Sequence, residues 1–180
     1  MKPSATKTGI AKTNAARYLD SLGIAYELRE YALGEEEFSA IAVAEKMGMP
    51  PEQVFKTLLC VTQEREHLFA IVPGNAELDF KKLANVARSR KTEMASIKDV
   101  LPLTGYVRGG VTIFGAKKAF PVFVDETLEL FDSISVSAGT RGTQLVLNPA
   151  DYLKAAESLA QTTLADLTKE VQTAKSLPVP

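Results

Sequence analysis

The 180-residue chain has one cysteine, one histidine and no tryptophan. A single cysteine, Cys60, excludes an internal disulfide framework and a thiolate zinc cluster. A single histidine, His67, leaves no material for a multi-histidine metal centre and little for a histidine-based triad. No apolar run approaches the roughly 18 residues of a membrane span, and MKPSATKTGIAK lacks the hydrophobic stretch of a secretory signal. A cytoplasmic protein is the expectation. Net charge is also missing: 21 basic and 22 acidic residues leave −1, so the average charge names no partner. What is present is ordinary for one globular domain, with 46% hydrophobic and 24% charged residues. Any chemistry must therefore come from lysine, hydroxyls, carboxylates, backbone or substrate.

The pattern along the chain alternates between helix and strand signals. Ala15, Ala16, Leu19 and Leu22 recur at helical spacing before Gly23, and a second helix is expected from Ser39 to Gly48. Residues 25–31 and 54–62 read as strands, and His67–Val72 as the hairpin partner of the second. Asp79 caps a helix, and Ser96 with Asp99 has capping-box spacing before a short turn ending at Pro102. Strands are expected in YVRGG, FPVFVD, SISVS and TQLVL, then a helix from Asn148-Pro149. A further short helix is expected from Thr162. These signals predict a mixed α/β domain over residues 1–165, with about six strands in a curved or closed sheet and flanking helices. Residues 166–180 are expected to form a tail, the end of a helix and then frayed chain.

Three features could carry function. Lys56 lies in VFKTLLCVT, a strand apolar on both faces, and an ammonium is rarely buried without a partner. It either snorkels to the surface or lines a cavity awaiting an anionic or polarised ligand. Six of the eleven glycines fall at positions 105, 109, 110, 115, 139 and 142. Neither a phosphate-loop nor a dinucleotide register exists among them, so they mark tight bends or close approach of backbone to a ligand. Between Lys81 and Lys118 nine bases face two acids, +7 over 38 residues, leaving −8 on the rest. Lys81, Lys82, Arg88, Arg90 and Lys91 form either a solvated face or a contact for a polyanion such as an RNA backbone.

Taken together, VFKTLL, GYVRGGVTIFGAKKAFPVFVDET and ISVSAGTRG resemble the YbaK/EbsC family of trans-acting aminoacyl-tRNA deacylases. The resemblance runs from about Asn14 to Leu153. It implies a distorted barrel-like sheet with flanking helices, no cofactor and no metal. It also implies tRNA as substrate, prolyl-tRNA synthetase as a further partner, and no role for DNA or membrane. By motif, the family lysine falls on Lys56 and its threonine on Thr57; the pocket aromatics fall on Tyr31 and Phe38. The glycine pair falls on Gly109 and Gly110, whose N–H groups would serve as oxyanion donors, and the serine falls on Ser137. Thr112-Ile113 stand where the family has Ser-Pro, which keeps a hydroxyl at Thr112 and alters the pocket loop. The implied activity is removal of cysteine from Cys-tRNA(Pro) and Cys-tRNA(Cys), with the substrate thiol as nucleophile. Two other readings stay open: an editor of alanine or another small amino acid using water, and a non-catalytic tRNA- or synthetase-binding module.

Overall fold

The computed structural model describes residues 9–34 and 39–170. Helix α1 (Asn14–Ser21) starts where the Thr13 hydroxyl accepts the Ala16 N–H, and it buries Ala15, Ala16 and Leu19. Strand β1 (Glu27–Glu30) follows, then α2 (Ala40–Met47), capped by Ser39 and closed by left-handed Gly48. A 3-10 turn over Pro51–Gln53 leads into the hairpin β2 (Phe55–Thr62) and β3 (His67–Pro73). Asp79 caps α3 (Phe80–Val86) by accepting the N–H groups of Lys81 and Lys82. Next come β4 (Thr92–Met94) and α4 (Ile97–Thr104). After a long irregular loop come β5 (Val122–Asp125), the hairpin β6 (Ile134–Ser137) and β7 (Thr143–Leu147), α5 (Pro149–Leu159) and β8 (Thr162–Ala165).

The strands form two sheets. One runs β1-β7-β6, all antiparallel; the other runs β4-β2-β3-β5-β8, with β5 parallel to both β3 and β8. The sheets meet at a parallel bridge between Val54 and Ser135. The largest core lies between them: Phe55, Leu59, Phe69, Ile71, Val124, Val136, Leu145, Phe114 and Tyr152 pack with α1 and α5. On the opposite face of β2 and β3, Cys60, Leu68, Ala70 and Val72 pack against Leu78, Leu83 and Leu167. Period-two alternation thus buries both faces of β2, as its apolar pattern requires. Among the described residues no helix is long and apolar enough to cross a membrane.

The architecture is mixed α/β with flanking helices, and several local expectations are corrected. Among the described residues there are eight strands in two sheets, where about six in one curved or closed sheet were expected. Thr162 opens a strand, not a helix, because parallel pairing with Val122–Asp125 satisfies its backbone. YVRGG is a loop: Gly109, at φ +88°, turns the chain so that Gly110 N–H donates to Val107 O. Pro102 does not end α4, which continues to Thr104, whose hydroxyl donates to Val100 O at 2.7 Å and steadies the last turn. Ser96 precedes α4 without a side-chain capping bond. Residue 166 does not begin a loose tail. Leu167 is fully buried, and Thr168 bridges Leu78.

Candidate functional site

Lys56 sits near the start of β2, paired with Val72 of β3. Its side chain is half-buried and its ammonium donates to Ala76 O at 2.8 Å. Burial pushes its pKa below the ordinary lysine value, opposed by the nearby Glu77 carboxylate. One carbonyl takes one of three N–H donors, so the remaining donors suit a carbonyl oxygen or phosphate brought by a ligand. The start of β2 is pinned by two further bonds: Val54 O accepts from Gly74 N–H at 2.7 Å, and Val54 bridges Ser135.

That bridge brings Ser137 into play. β2 and β6 run in the same direction from Val54 and Ser135, so Lys56 and Ser137 each stand two residues further on. Alternation gives them the faces of Val54 and Ser135, which both look toward α2: Val54 packs on Val43 and Ala44, and Ser135 Oγ lies 3.9 Å from Met47 Sδ. Tyr31 packs against the same Val54 cluster, and its N–H donates to Gly142 O at 2.9 Å. Ser137 Oγ accepts the Gly139 N–H at 3.1 Å, which leaves its own O–H available to a ligand.

The glycine-rich loop closes over the β6–β7 turn. A methyl group at Gly110 would stand 3.3 Å from Thr140 Cα, tighter than ordinary contact, so the Thr140 backbone would have to give by a few tenths of an ångström. Arg141 Nε donates to Arg108 O at 2.8 Å and ties the same two loops together. Sequence reasoning missed the part of Tyr106. Its ring lies against Gly139, where a Cβ would come 2.8 Å from Cε1, and its hydroxyl donates to Phe114 O at 2.6 Å. Gly139 itself holds φ at +101°. No one-dimensional signal joins a tyrosine at 106 to a glycine at 139; the only hint was that both lie in glycine-rich stretches.

Tyr31 thus packs on the Val54 cluster, Lys56 and Ser137 each follow the Val54–Ser135 bridge by two residues, and Gly109 and Gly110 lie in the loop that closes on the β6–β7 turn. Thr57 is not brought to the Lys56 side. Alternation puts it on the face of Phe55 and Leu59, opposite Ile71. Thr112 is buried beside Val111 and Ile113, at the edge of the large core. Gly110 N–H is occupied by Val107 O, so Gly109 is the member of the pair whose N–H no described backbone acceptor takes. Phe38 lies outside the described residues.

The basic stretch divides. Lys82 donates to Asp166 Oδ2 at 2.7 Å and to Thr168 O at 2.7 Å, in a partly exposed ion pair. Lys81 is exposed on α3, Arg88 follows that helix at φ +57°, and Lys91 lies 3.7 Å from Glu93 in an exposed pair. Lys91 also lines a hollow of about 160 Å³ with Val61, Thr62, Gln63, Arg65 and Glu93. This hollow sits five residues along β2 from Lys56, roughly 17 Å away at strand rise. Cys60 is fully buried, and burial pushes its thiol up to about 12, so it is an inert core residue. His67 packs its ring on Phe120. Among the described residues no group of histidine, cysteine and carboxylates could hold a metal ion.

The fold is of the aminoacyl-tRNA editing class: the family model described as Aminoacyl-tRNA editing domain matches residues 35–155. The chain is a member of that family. It is 42% identical over 142 residues to the Enterococcus faecalis protein named "Putative Cys-tRNA(Pro)/Cys-tRNA(Cys) deacylase EbsC", covering 79% of this chain and 87% of that one. It is 31% identical over 120 residues to an Escherichia coli protein named "Multifunctional Ser/Thr-tRNA deacylase ProXp-y", covering 64% and 72% respectively. In fold it is similar to a solved structure titled as a "putative trans-editing enzyme for prolyl tRNA synthetase", with TM-score 0.74 and 24% identity over 89% of this chain and all of that one.

Proposed function

We propose that this protein is a trans-acting aminoacyl-tRNA deacylase that removes cysteine from Cys-tRNA(Pro) and Cys-tRNA(Cys). The observation that carries the reading is the half-buried Lys56 ammonium, held by a single carbonyl on the face it shares with Ser137. The 42% identity to the Enterococcus faecalis relative supports the choice of amino acid. Lys56 stabilises the negative charge that develops on the ester carbonyl oxygen or holds the adjacent phosphate, and Gly109 N–H and Ser137 supply further donors. Tyr31 walls the amino-acid pocket. The substrate thiol loses its proton and attacks the ester carbonyl carbon; the C–O bond to the ribose breaks, and the ribose oxygen takes a proton. A cysteine thiol near pKa 8.5 is a few per cent thiolate at neutral pH, enough to act as its own nucleophile.

Lys81, Arg88, Arg90 and Lys91 contact the tRNA backbone further along β2 from the ester, in the cytoplasm and alongside prolyl-tRNA synthetase. A second reading, cleavage of a small or hydroxylated amino acid by water, is favoured by Thr112-Ile113 and by the name of the Escherichia coli relative. The deciding experiment is a deacylation panel with Cys-, Ala-, Ser- and Thr-tRNA, plus Cys-tRNA whose thiol carries a small alkyl group. Fast cleavage of free Cys-tRNA alone is expected. Equal cleavage of blocked and free Cys-tRNA transfers the reading to water attack, and no cleavage of any substrate leaves a tRNA-binding module.

A further inference from the structure

The carbonyl that holds Lys56 belongs to a segment with little structure of its own. Between the end of β3 and the start of α3, residues 74–79 make no helix and a single bridge. Gly74 N–H donates to Val54 O and Ala76 N–H to Pro73 O, and from Glu77 onward what fixes the segment comes from the other end of the chain. Glu77 O accepts the Lys169 N–H at 2.9 Å, Leu78 bridges Thr168, and Asp79 N–H donates to Leu167 O at 2.8 Å. Residues 166–169 therefore lie as an antiparallel strap along the loop that carries Ala76.

The strap is itself anchored at two points. Leu167 N–H donates to Oδ2 of Asp125 at 2.9 Å, and Asp125 is 1% exposed. The other oxygen of that carboxylate accepts from Thr127 N–H at 3.1 Å and Thr127 Oγ1 at 2.6 Å, so it is held firmly at the end of β5. Lys82 supplies the second anchor, gripping the Asp166 carboxylate and the Thr168 carbonyl together. The Lys169–Glu77 ion pair adds little, because the Glu77 side chain is 79% exposed.

Building on the role proposed for Lys56, we propose that residues 166–169 are a strap that sets the position of the Lys56 ammonium, with Lys82 and Asp125 as its positioning residues. An ammonium on four rotatable bonds has many positions available, and a misplacement of about 1 Å can cost up to about 10²-fold in rate. The strap narrows that freedom by fixing the acceptor rather than the lysine. Lys82 then acts through Ala76 on the rate of the chemical step, not through phosphate on affinity.

The two roles for Lys82 separate in Lys82→Met, Lys82→Arg and Thr127→Val, measured by single-turnover deacylation of Cys-tRNA at several salt concentrations. The 15Nζ resonance of Lys56, assigned by its loss in Lys56→Met, is recorded alongside. Lys82→Met is expected to lower kcat about tenfold with KM within about twofold and an unchanged salt slope. Lys82→Arg should recover most of the loss, and the Lys56 resonance should move toward that of a solvated lysine in Lys82→Met but not in Lys82→Arg. A raised KM, unchanged kcat and a salt slope flatter by about 0.7–0.9 would make Lys82 a phosphate contact and overturn the proposal. An unmoved Lys56 resonance would overturn it too. If Lys82→Met does not fold, Thr127→Val loosens the Asp125 anchor more gently and is read the same way. Should the wild-type chain cleave no aminoacyl-tRNA, the proposed activity fails, but the resonance still decides whether the strap positions Lys56.

Discussion

The two sides of the candidate site are built by different means. On one side, the glycine loop and the β6–β7 turn meet through backbone: Gly110 on Thr140, Gly139 on the Tyr106 ring, Ser137 Oγ on Gly139 N–H. On the other, Lys56 depends on a carbonyl 20 residues away, and the strap behind that carbonyl reaches Asp125 and Lys82 across 42 and 86 residues. The first side stores its geometry in conformations that only glycine adopts cheaply. The second stores it in side-chain bonds to ordinary residues. Damage to the first should therefore be read as lost stability, and damage to the second as lost rate.

The largest effect expected on the second side comes from Lys56→Met. Removing one charge-stabilising donor typically costs about 10²–10³ in rate, whereas replacing a half-buried ammonium by a hydrophobe of similar length is often neutral or stabilising. Single-turnover cleavage and urea unfolding check both halves of that statement. The pH dependence has a definite sign. Burial lowers the folded pKa of Lys56, so its cost to stability is fully present below that value and is relieved as pH rises toward the ordinary 10.5. Lys56→Met should lack this alkaline gain. A variant that cleaves within a few-fold of wild type would place the rate elsewhere.

Gly139→Ala attacks the other side. At φ +101° the new methyl is strained, and it would meet Tyr106 Cε1 at 2.8 Å while the tyrosine hydroxyl anchors that ring to Phe114 O. A loss of about 2–4 kcal/mol in urea unfolding is expected. A loss below about 0.5 kcal/mol would show that the Tyr106 ring moves freely, and the contrast between the two sides would fall.

Tyr152→Phe tests the core beneath the glycine loop. The Tyr152 hydroxyl is buried without a partner, beside the Phe114 ring at 5.3 Å. Its removal should raise stability by about 1 kcal/mol. Lower stability instead would reveal an ordered water serving that hydroxyl.

The smallest effect concerns Cys60, on the face of β2 that carries Lys56. Its thiol is raised to about 12 by burial, so the folded protein should resist alkylation at pH 8 and react only as it unfolds. Because the folded pKa lies above the ordinary thiol value of 9.0, its contribution to stability is present below pH 9 and is lost between there and about 12. Rapid labelling of the native protein would place Cys60 at an open site.

Much of this was legible where the controlling interactions are short in sequence. Ser39 to Ala42, Asp79 to Lys82 and Asn148 to Ala150 are caps spanning two or three residues, and the hairpins of β2–β3 and β6–β7 are closed by their own turns. Lys56 stood out because a charge in a strand apolar on both faces is chemically conspicuous. Period-two alternation likewise sets Thr57 on the face of Phe55 and Leu59, opposite Lys56, and its pairing with Ile71 agrees. Lys82 was grouped with Arg88 and Lys91 because composition cannot show that Asp166 lies beside it. β4 and β8 escaped because three or four residues carry too little pattern, and their pairing partners lie far off in the chain.

Local pattern alone determined that this protein is a mixed α/β domain with a lysine strand, two glycine-rich segments, an inert core cysteine and no metal-ligand cluster of cysteine or histidine. Those features follow from backbone conformation and from the period of hydrophobic burial, which neighbouring residues control. Only the tertiary structure decided that Ser137 shares the face of Lys56, that Tyr106 lies against Gly139, and that residues 166–169 lock the loop holding the ammonium. Each of these is a contact between segments whose separation is settled by packing and sheet pairing, and no short-range propensity encodes it.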